Sequence, residues 1–197
     1  VGIADTFAVS FSGDADVSGV SLVTSFNTVL IFLFTALSSG GAVIISQYIG
    51  GKNKKAASRS AGQLLMISTV ISMIMAALIL VFRTQLLRLL FGKIEADVMA
   101  ACESYLWITT LSLPFLAIYD AGAALCRSIG KTNVTMNVSV IANVINVIGN
   151  CIGVFVLKTG AAGVAWPSLI SRVFSAAVIT FFCFRKKNSV RYQMRDV

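Results

Sequence analysis

From Val17 to Ile49 the chain runs 33 residues without one charged side chain. A helix needs about 20 apolar residues to cross a bilayer, so this stretch alone constrains the chain to a membrane. The pattern then recurs. Full spans are expected at about Val17–Ile49, Ala56–Phe82, Val98–Leu125, Val134–Leu157 and Gly160–Phe184, separated by short polar joints such as "GGKNKKAASR", "RSIGKTN" and "LKTG". Short joints imply antiparallel neighbours. The opening stretch "VGIADTFAVSF" is about half a span and lacks a basic leader segment, so it reads as a first span truncated within itself and not as a signal peptide. With 57% hydrophobic and only 12% charged residues, against about 25% charged in soluble domains, the expected fold is an all-α integral membrane bundle of six helices.

The charges alternate by side. Lys52, Lys54, Lys55 and Arg59 follow the second span, Arg127 and Lys131 follow the fourth, and Arg185, Lys186, Lys187, Arg191 and Arg195 follow the sixth. If every run crosses, these eleven of the 16 basic residues share one side. The opposite joints hold Asp14 and Asp16, then Arg83, Arg88 and Lys93 balanced by Glu95, Asp97 and Glu103, then Lys158. By the positive-inside rule the basic side is cytoplasmic. Residues 1–184 thus read as one transmembrane lobe, and 185–197 as a basic cytoplasmic linker. The net charge of +8 serves orientation; no aromatic-interleaved basic patch points to nucleic acid.

Chemistry of other kinds is excluded by what is missing. There is no histidine, which removes Ser-His-Asp and Cys-His catalysis and the common zinc sites. The four cysteines, Cys102, Cys126, Cys151 and Cys183, form no CxxC and read as small buried hydrophobes. No enzyme is expected. Small-residue runs "SSGGA" at 38–42, "AGAAL" at 121–125 and "GAAGVA" at 160–165 allow close helix packing. Pro114 and Pro167 each remove a backbone donor inside a span.

Three charges fall within apolar runs: Asp5, Asp120 and Arg172. An intramembrane charge is costly and marks function unless a partner accounts for it. Asp120 and Arg172 are expected to neutralise one another across the fourth and sixth spans, with Arg127, two turns along, as the alternative partner for Asp120. Asp5 suits a proton or a small cation, with a structural hydrogen-bond acceptor packed on neighbouring helices as the alternative. Asn146 and Asn150 lie four apart on one face of the fifth span, with Asn143 near the same stripe. Two readings stay open for them: interhelical hydrogen bonding, worth about 0.6 kcal/mol per bond, or the wall of a hydrated cavity or cation site shared with Asp5.

At these residues the sequence resembles the multidrug and toxic compound extrusion (MATE) family. "ADTFAVSFSGDADVSGVSL" is similar to its first-to-second-helix segment, "GGAVIISQYIGGKNKKAA" to the end of its second helix and basic loop, "YLWITTLSLPF" to its fourth helix, and "NVIGNCIGVFVLKTGAAGVAWPSLIS" to its fifth and sixth. The resemblance runs the whole chain in the order of the family's N-terminal half. It implies one six-helix lobe of a twelve-helix, two-lobe transporter in the plasma membrane, with the second lobe as its partner. It implies a secondary antiporter exporting small organic cations against H+ or Na+, with no cofactor beyond the coupling ion. It assigns the ion-linked carboxylate to Asp5, the fifth-helix pair to Asn146 and Asn150, and the sixth-helix hydroxyl to Ser168, where Pro167-Ser168 stands in place of the family's Ala-Thr. Na+ at Asp5 is the one metal it allows. A sister reading is a lipid-linked oligosaccharide flippase; a non-transporting scaffold is the bland rival, with no use for Asp5.

Overall fold

A computed structural model of the protein describes residues 5, 7, 9–10, 14–92, 95–156 and 160–184, of which 155, 156 and 160 are described by backbone alone. The basic tail 185–197, Lys93 and Lys158 lie outside the described residues.

The described residues are all-helical. Asp5, Phe7 and Val9 are helical. There follow α1 (Asp14–Gly50), α2 (Lys54–Val81), α3 (Arg83–Phe91), α4 (Ala96–Leu111), α5 (Leu113–Ser128), α6 (Thr132–Cys151) with a π-helical extension Ile152–Val156, and α7 (Gly160–Phe184). Four segments are long and apolar enough to cross a membrane, and α4 with α5 makes a fifth, bent by 43°. These are the five full spans expected from sequence. The exception lies in the joint "RTQLLRLLFGKIEAD", which contains the nine-residue helix α3. Its Leu87 is buried, and Thr84 Oγ1 donates to Glu103 Oε1 at 2.7 Å, so the joint is a helix docked on α4.

Each helix follows from its residues. The buried positions of α1, Val20, Val23, Asn27, Leu30, Phe34 and Ser38, step by three and four and form one inward stripe. Asp14 and Asp16 occupy its first turn, where the helix dipole favours acid. Asn53 caps α2, its side chain accepting from Ala56 N at 3.1 Å. Gly130 adopts φ +74° between α5 and α6, and Lys131 N donates back to Cys126 O at 2.8 Å, the αL cap that lets two helices reverse tightly.

The fourth span breaks at Ser112. Pro114 has no N–H for the carbonyl one turn earlier, and the span bends there by 43°. Pro167 behaves differently: α7 runs continuously through it. The bundle packs α1 on α4, α2 on α5, α5 on α7 and α6 on α7. Gly122 sits at the crossing of α5 with α7, and Gly41 at that of α1 with α2. A Cβ on Gly122 would lie 2.8 Å from Ile179, and one on Gly41 2.5 Å from Leu64. Large apolar side chains instead cover the outside, with Phe32 68% and Phe181 74% exposed, as a lipid-facing surface requires.

Candidate functional site

Helix α6 is turned inside out relative to a soluble helix. Val140, Val144, Val147 and Ile148 are exposed, while its buried side chains are Val138, Asn146 and Asn150. A lipid-facing helix puts its hydrocarbon outward and its polar groups toward partners in the protein. Asn146 and Asn150 find those partners at Ser168 and Asp5.

Asp5 is 0% exposed and accepts three hydrogen bonds. Asn150 Nδ2 donates to Oδ1 at 2.8 Å, while Tyr105 Oη and Ser168 Oγ donate to Oδ2 at 2.8 and 2.9 Å. Asn146 Nδ2 donates to Ser168 Oγ at 2.9 Å, so the serine hydroxyl both donates and accepts. One carboxylate thereby ties together α4, α6 and α7. Three neutral donors on one carboxylate is how a charge is held in an apolar span without a cation in contact.

Two acceptors beside it have no donor. Asn146 Oδ1 and Asn150 Oδ1 are fully buried with no hydrogen-bond partner among the described residues. A buried acceptor left unmade costs about 1–3 kcal/mol. Each asparagine turns its Nδ2 into the Asp5–Ser168 cluster and leaves its Oδ1 without a donor among the described residues.

A cavity of about 300 Å³ opens on Asp5. Tyr105, Asn27, Tyr119, Asn143 and Arg172 contribute to its walls. Asn143, exposed and cavity-lining, is thus the third amide of the stripe, and the two readings of that stripe divide between its members. Asn146 and Asn150 are hydrogen-bonded into the Asp5 cluster; Asn143 lines the cavity.

The four residues expected from sequence, Asp5, Asn146, Asn150 and Ser168, meet in one cluster. The proline before Ser168 leaves its hydroxyl within reach of Asp5. Tyr105 was not expected among the three donors to the carboxylate. Nor was its support: Thr109 Oγ1 donates to Tyr105 O at 2.8 Å and accepts from Asn27 Nδ2 at 3.1 Å. The expected contact of Asp120 with Arg172 is not made. Arg172 Nη1 donates to Ser112 Oγ at 2.6 Å, at the break between α4 and α5, and Asp120 Oδ2 has no partner among the described residues. Opposite charges on two helices do not fix helix register, and the buried Ser112 hydroxyl at the break takes the guanidinium instead.

Ser168→Ala removes one donor from Asp5 and leaves Asn146 Nδ2 without its acceptor. A loss of about 1.5–3 kcal/mol is expected for a hydrogen bond to a charged group, read as a lower melting temperature in detergent. Ser168→Thr keeps the hydroxyl and should melt near the parent; equal melting of the alanine variant would remove Ser168 from the cluster.

The family model described as MatE matches residues 1–152. Among curated proteins the chain is similar to the uncharacterized transporter YisQ of Bacillus subtilis, 30% identical over 178 residues, 88% of this chain and 38% of that one. It is similar to the multidrug export protein MepA of Staphylococcus saprophyticus at 24% identity, covering 100% of this chain and 43% of that one. It superposes on a crystal structure of MATE in the bent conformation with a TM-score of 0.93 at 22% identity, covering 100% of this chain and 44% of that chain. The chain spans less than half the length of these relatives.

Proposed function

Because the chain belongs to the MatE family, we propose that it forms the N-terminal lobe of a two-lobe secondary antiporter that exports organic cations against an inward gradient of H+ or Na+. The observation that carries this reading is the Asp5 cluster: a fully buried carboxylate held by three neutral donors, beside two amide oxygens that lack any donor. A scaffold has no use for so costly a group.

Either ion completes the cluster. Na+ takes oxygens, and Asp5, Asn146 Oδ1, Asn150 Oδ1 and the Ser168 hydroxyl supply them. A proton neutralises Asp5, and its new O–H is accepted by Asn150 Oδ1 once that amide turns over. In both cases one positive charge is added and the hydrogen bonds tying α4, α6 and α7 to Asp5 are rearranged. An ion and a substrate that prefer different helix arrangements are thereby coupled, each driving the other's release. The relatives' greater length supports a second lobe as the partner. The excess of basic residues in the joints supports a cytoplasmic side for them in a multi-pass protein of the plasma membrane.

The test is efflux of ethidium from sealed vesicles carrying the two-lobe protein, driven by a proton gradient alone and then by a sodium gradient alone. Efflux under one gradient names the coupling ion. Efflux under neither overturns the antiport reading.

A further inference from the structure

Arg172 lines the cavity that opens on Asp5, and no anion answers its charge there. It stands half-buried on α7, and an arginine inside a span is costly and calls for a partner. Its one hydrogen bond among the described residues goes to the neutral Ser112 hydroxyl, at 2.6 Å. That hydroxyl is buried and gives its own proton to Thr109 O, so it orients the guanidinium without balancing it. Neither carboxylate of the spans does so. The Asp5 oxygens accept from Asn150, Tyr105 and Ser168, and Asp120 Oδ2 has no partner among the described residues. The rest of the guanidinium's planar fork of N–H donors, a shape that fits a carboxylate, is left for what enters the cavity.

The opposite need stands on the same walls. Asn27 of α1 lines the cavity and is only 5% exposed. Its Nδ2 donates to Thr109 Oγ1 at 3.1 Å, while its Oδ1 is buried with no partner among the described residues. A buried acceptor calls for a donor, and the Asp5 charge in the same cavity favours a cationic one. The two poles are fixed to one another. A continuous chain of hydrogen bonds runs from Arg172 through Ser112 and Thr109 to Asn27, anchored at the end of α4. A simple cation answers Asn27 and Asp5 but meets Arg172 as a like charge. A simple anion answers Arg172 but meets Asp5. A molecule with both charges answers both poles.

We propose that this cavity prefers zwitterions: organic cations that also carry a carboxylate, the acid held by Arg172 and the cationic N–H end by Asn27 Oδ1 in the field of Asp5. The proposal rests on the reading of the chain as one lobe of an organic-cation exporter. The cavity volume of about 300 Å³ lies within the range of small-molecule sites.

A fluorescent rhodamine with free amino groups, taken as the carboxylic acid and as its methyl ester, tests this. Both forms carry the xanthylium cation and have nearly the same shape; only the acid is a zwitterion. Fluorescence polarisation on the purified two-lobe protein gives both dissociation constants. The parent should bind the acid at least about tenfold more tightly than the ester, as a hydrogen bond between charged groups is worth. Arg172→Gln can still donate to Ser112 but lacks the charge. It should bind the acid more weakly and the ester more tightly, because a like charge has gone. Arg172→Lys keeps the charge and should keep the acid ahead. An ester bound as tightly as the acid by the parent overturns the proposal whatever the variants do. Equal weakening of both dyes in an Arg172→Gln that melts like the parent makes Arg172 a structural group and overturns it as well. Ethidium has no acid group, so its gradient-driven efflux reports on antiport alone. Acid preference without ethidium efflux supports the Arg172 assignment and sinks antiport; ethidium efflux without acid preference does the reverse.

Discussion

Asp5→Asn in the two-lobe protein abolishes gradient-driven efflux, down to the level of empty vesicles, while membrane expression and melting stay near those of the parent. That is the largest functional effect expected of any single substitution here, and its two halves have separate causes. The carboxamide keeps an acceptor for Asn150 Nδ2, and its own N–H groups are accepted by the Ser168 and Tyr105 hydroxyls, which accept as readily as they donate. The cluster therefore stays hydrogen-bonded and the desolvation of a charge is relieved, so folding does not suffer. What vanishes is the ability to change charge: an amide binds no proton at working pH and attracts no Na+. The variant resembles the ion-loaded state of Asp5 at all times, and an antiporter fixed in one state of its coupling site has nothing for the gradient to drive. Efflux at parental rates in this variant would remove Asp5 from the mechanism.

How much of this was legible in the sequence depends on how local the signal is. Span positions follow from apolar runs and were read to within a few residues. Asn146 and Asn150 could be paired because a four-residue spacing fixes one helix face. Asp5 stood out because a carboxylate is costly in hydrocarbon, and Ser168 came through resemblance to a family. Tyr105 was not read as a ligand, since a tyrosine in a span also serves packing and no spacing rule connects residues 100 positions apart. The Asn27–Thr109 bond behind it escaped for the same reason. The Asp120–Arg172 contact failed for a related one: charge complementarity says that two groups attract, but helix rotation and a nearer acceptor, Ser112, decide what they touch. Helix α3 was hidden by length, because nine residues fall below a span. Its Leu86, Leu87 and Leu90, three and four apart, were the available sign.

Glycine positions are where sequence says least and geometry says most, and they carry the largest expected stability effect. Proline at 167 lacks the N–H that would bond the carbonyl of Gly163 one turn earlier, so that carbonyl faces outward from α7. Gly153, in the π-helical extension of α6, lies against it. A Cβ at 153 would overlap the Gly163 carbonyl oxygen, with the carbonyl carbon at 2.8 Å and Cα at 3.0 Å. These are backbone atoms and cannot rotate away. One turn earlier Gly149 rests on the Pro167 ring, where a Cβ would fall 2.5 Å from Pro167 Cβ. The contact of α6 with α7, which places Asn146 and Asn150 opposite Ser168, therefore depends on two missing methyl groups. Gly153→Ala should cost at least about 3 kcal/mol, the upper end for overpacking because no side chain can yield. Gly40→Ala is the control: a Cβ there meets nothing within 4 Å, and alanine gains about 0.5–1 kcal/mol in a helix. Melting in detergent compares the two, with ion-dependent stabilisation as a second readout. Gly153→Ala should melt far below the parent and lose its response to the coupling ion, because α6 is pushed off α7. Parental melting of Gly153→Ala would mean that α6 and α7 do not meet backbone to backbone at this point, and the placement of the asparagines opposite Ser168 would fall with it.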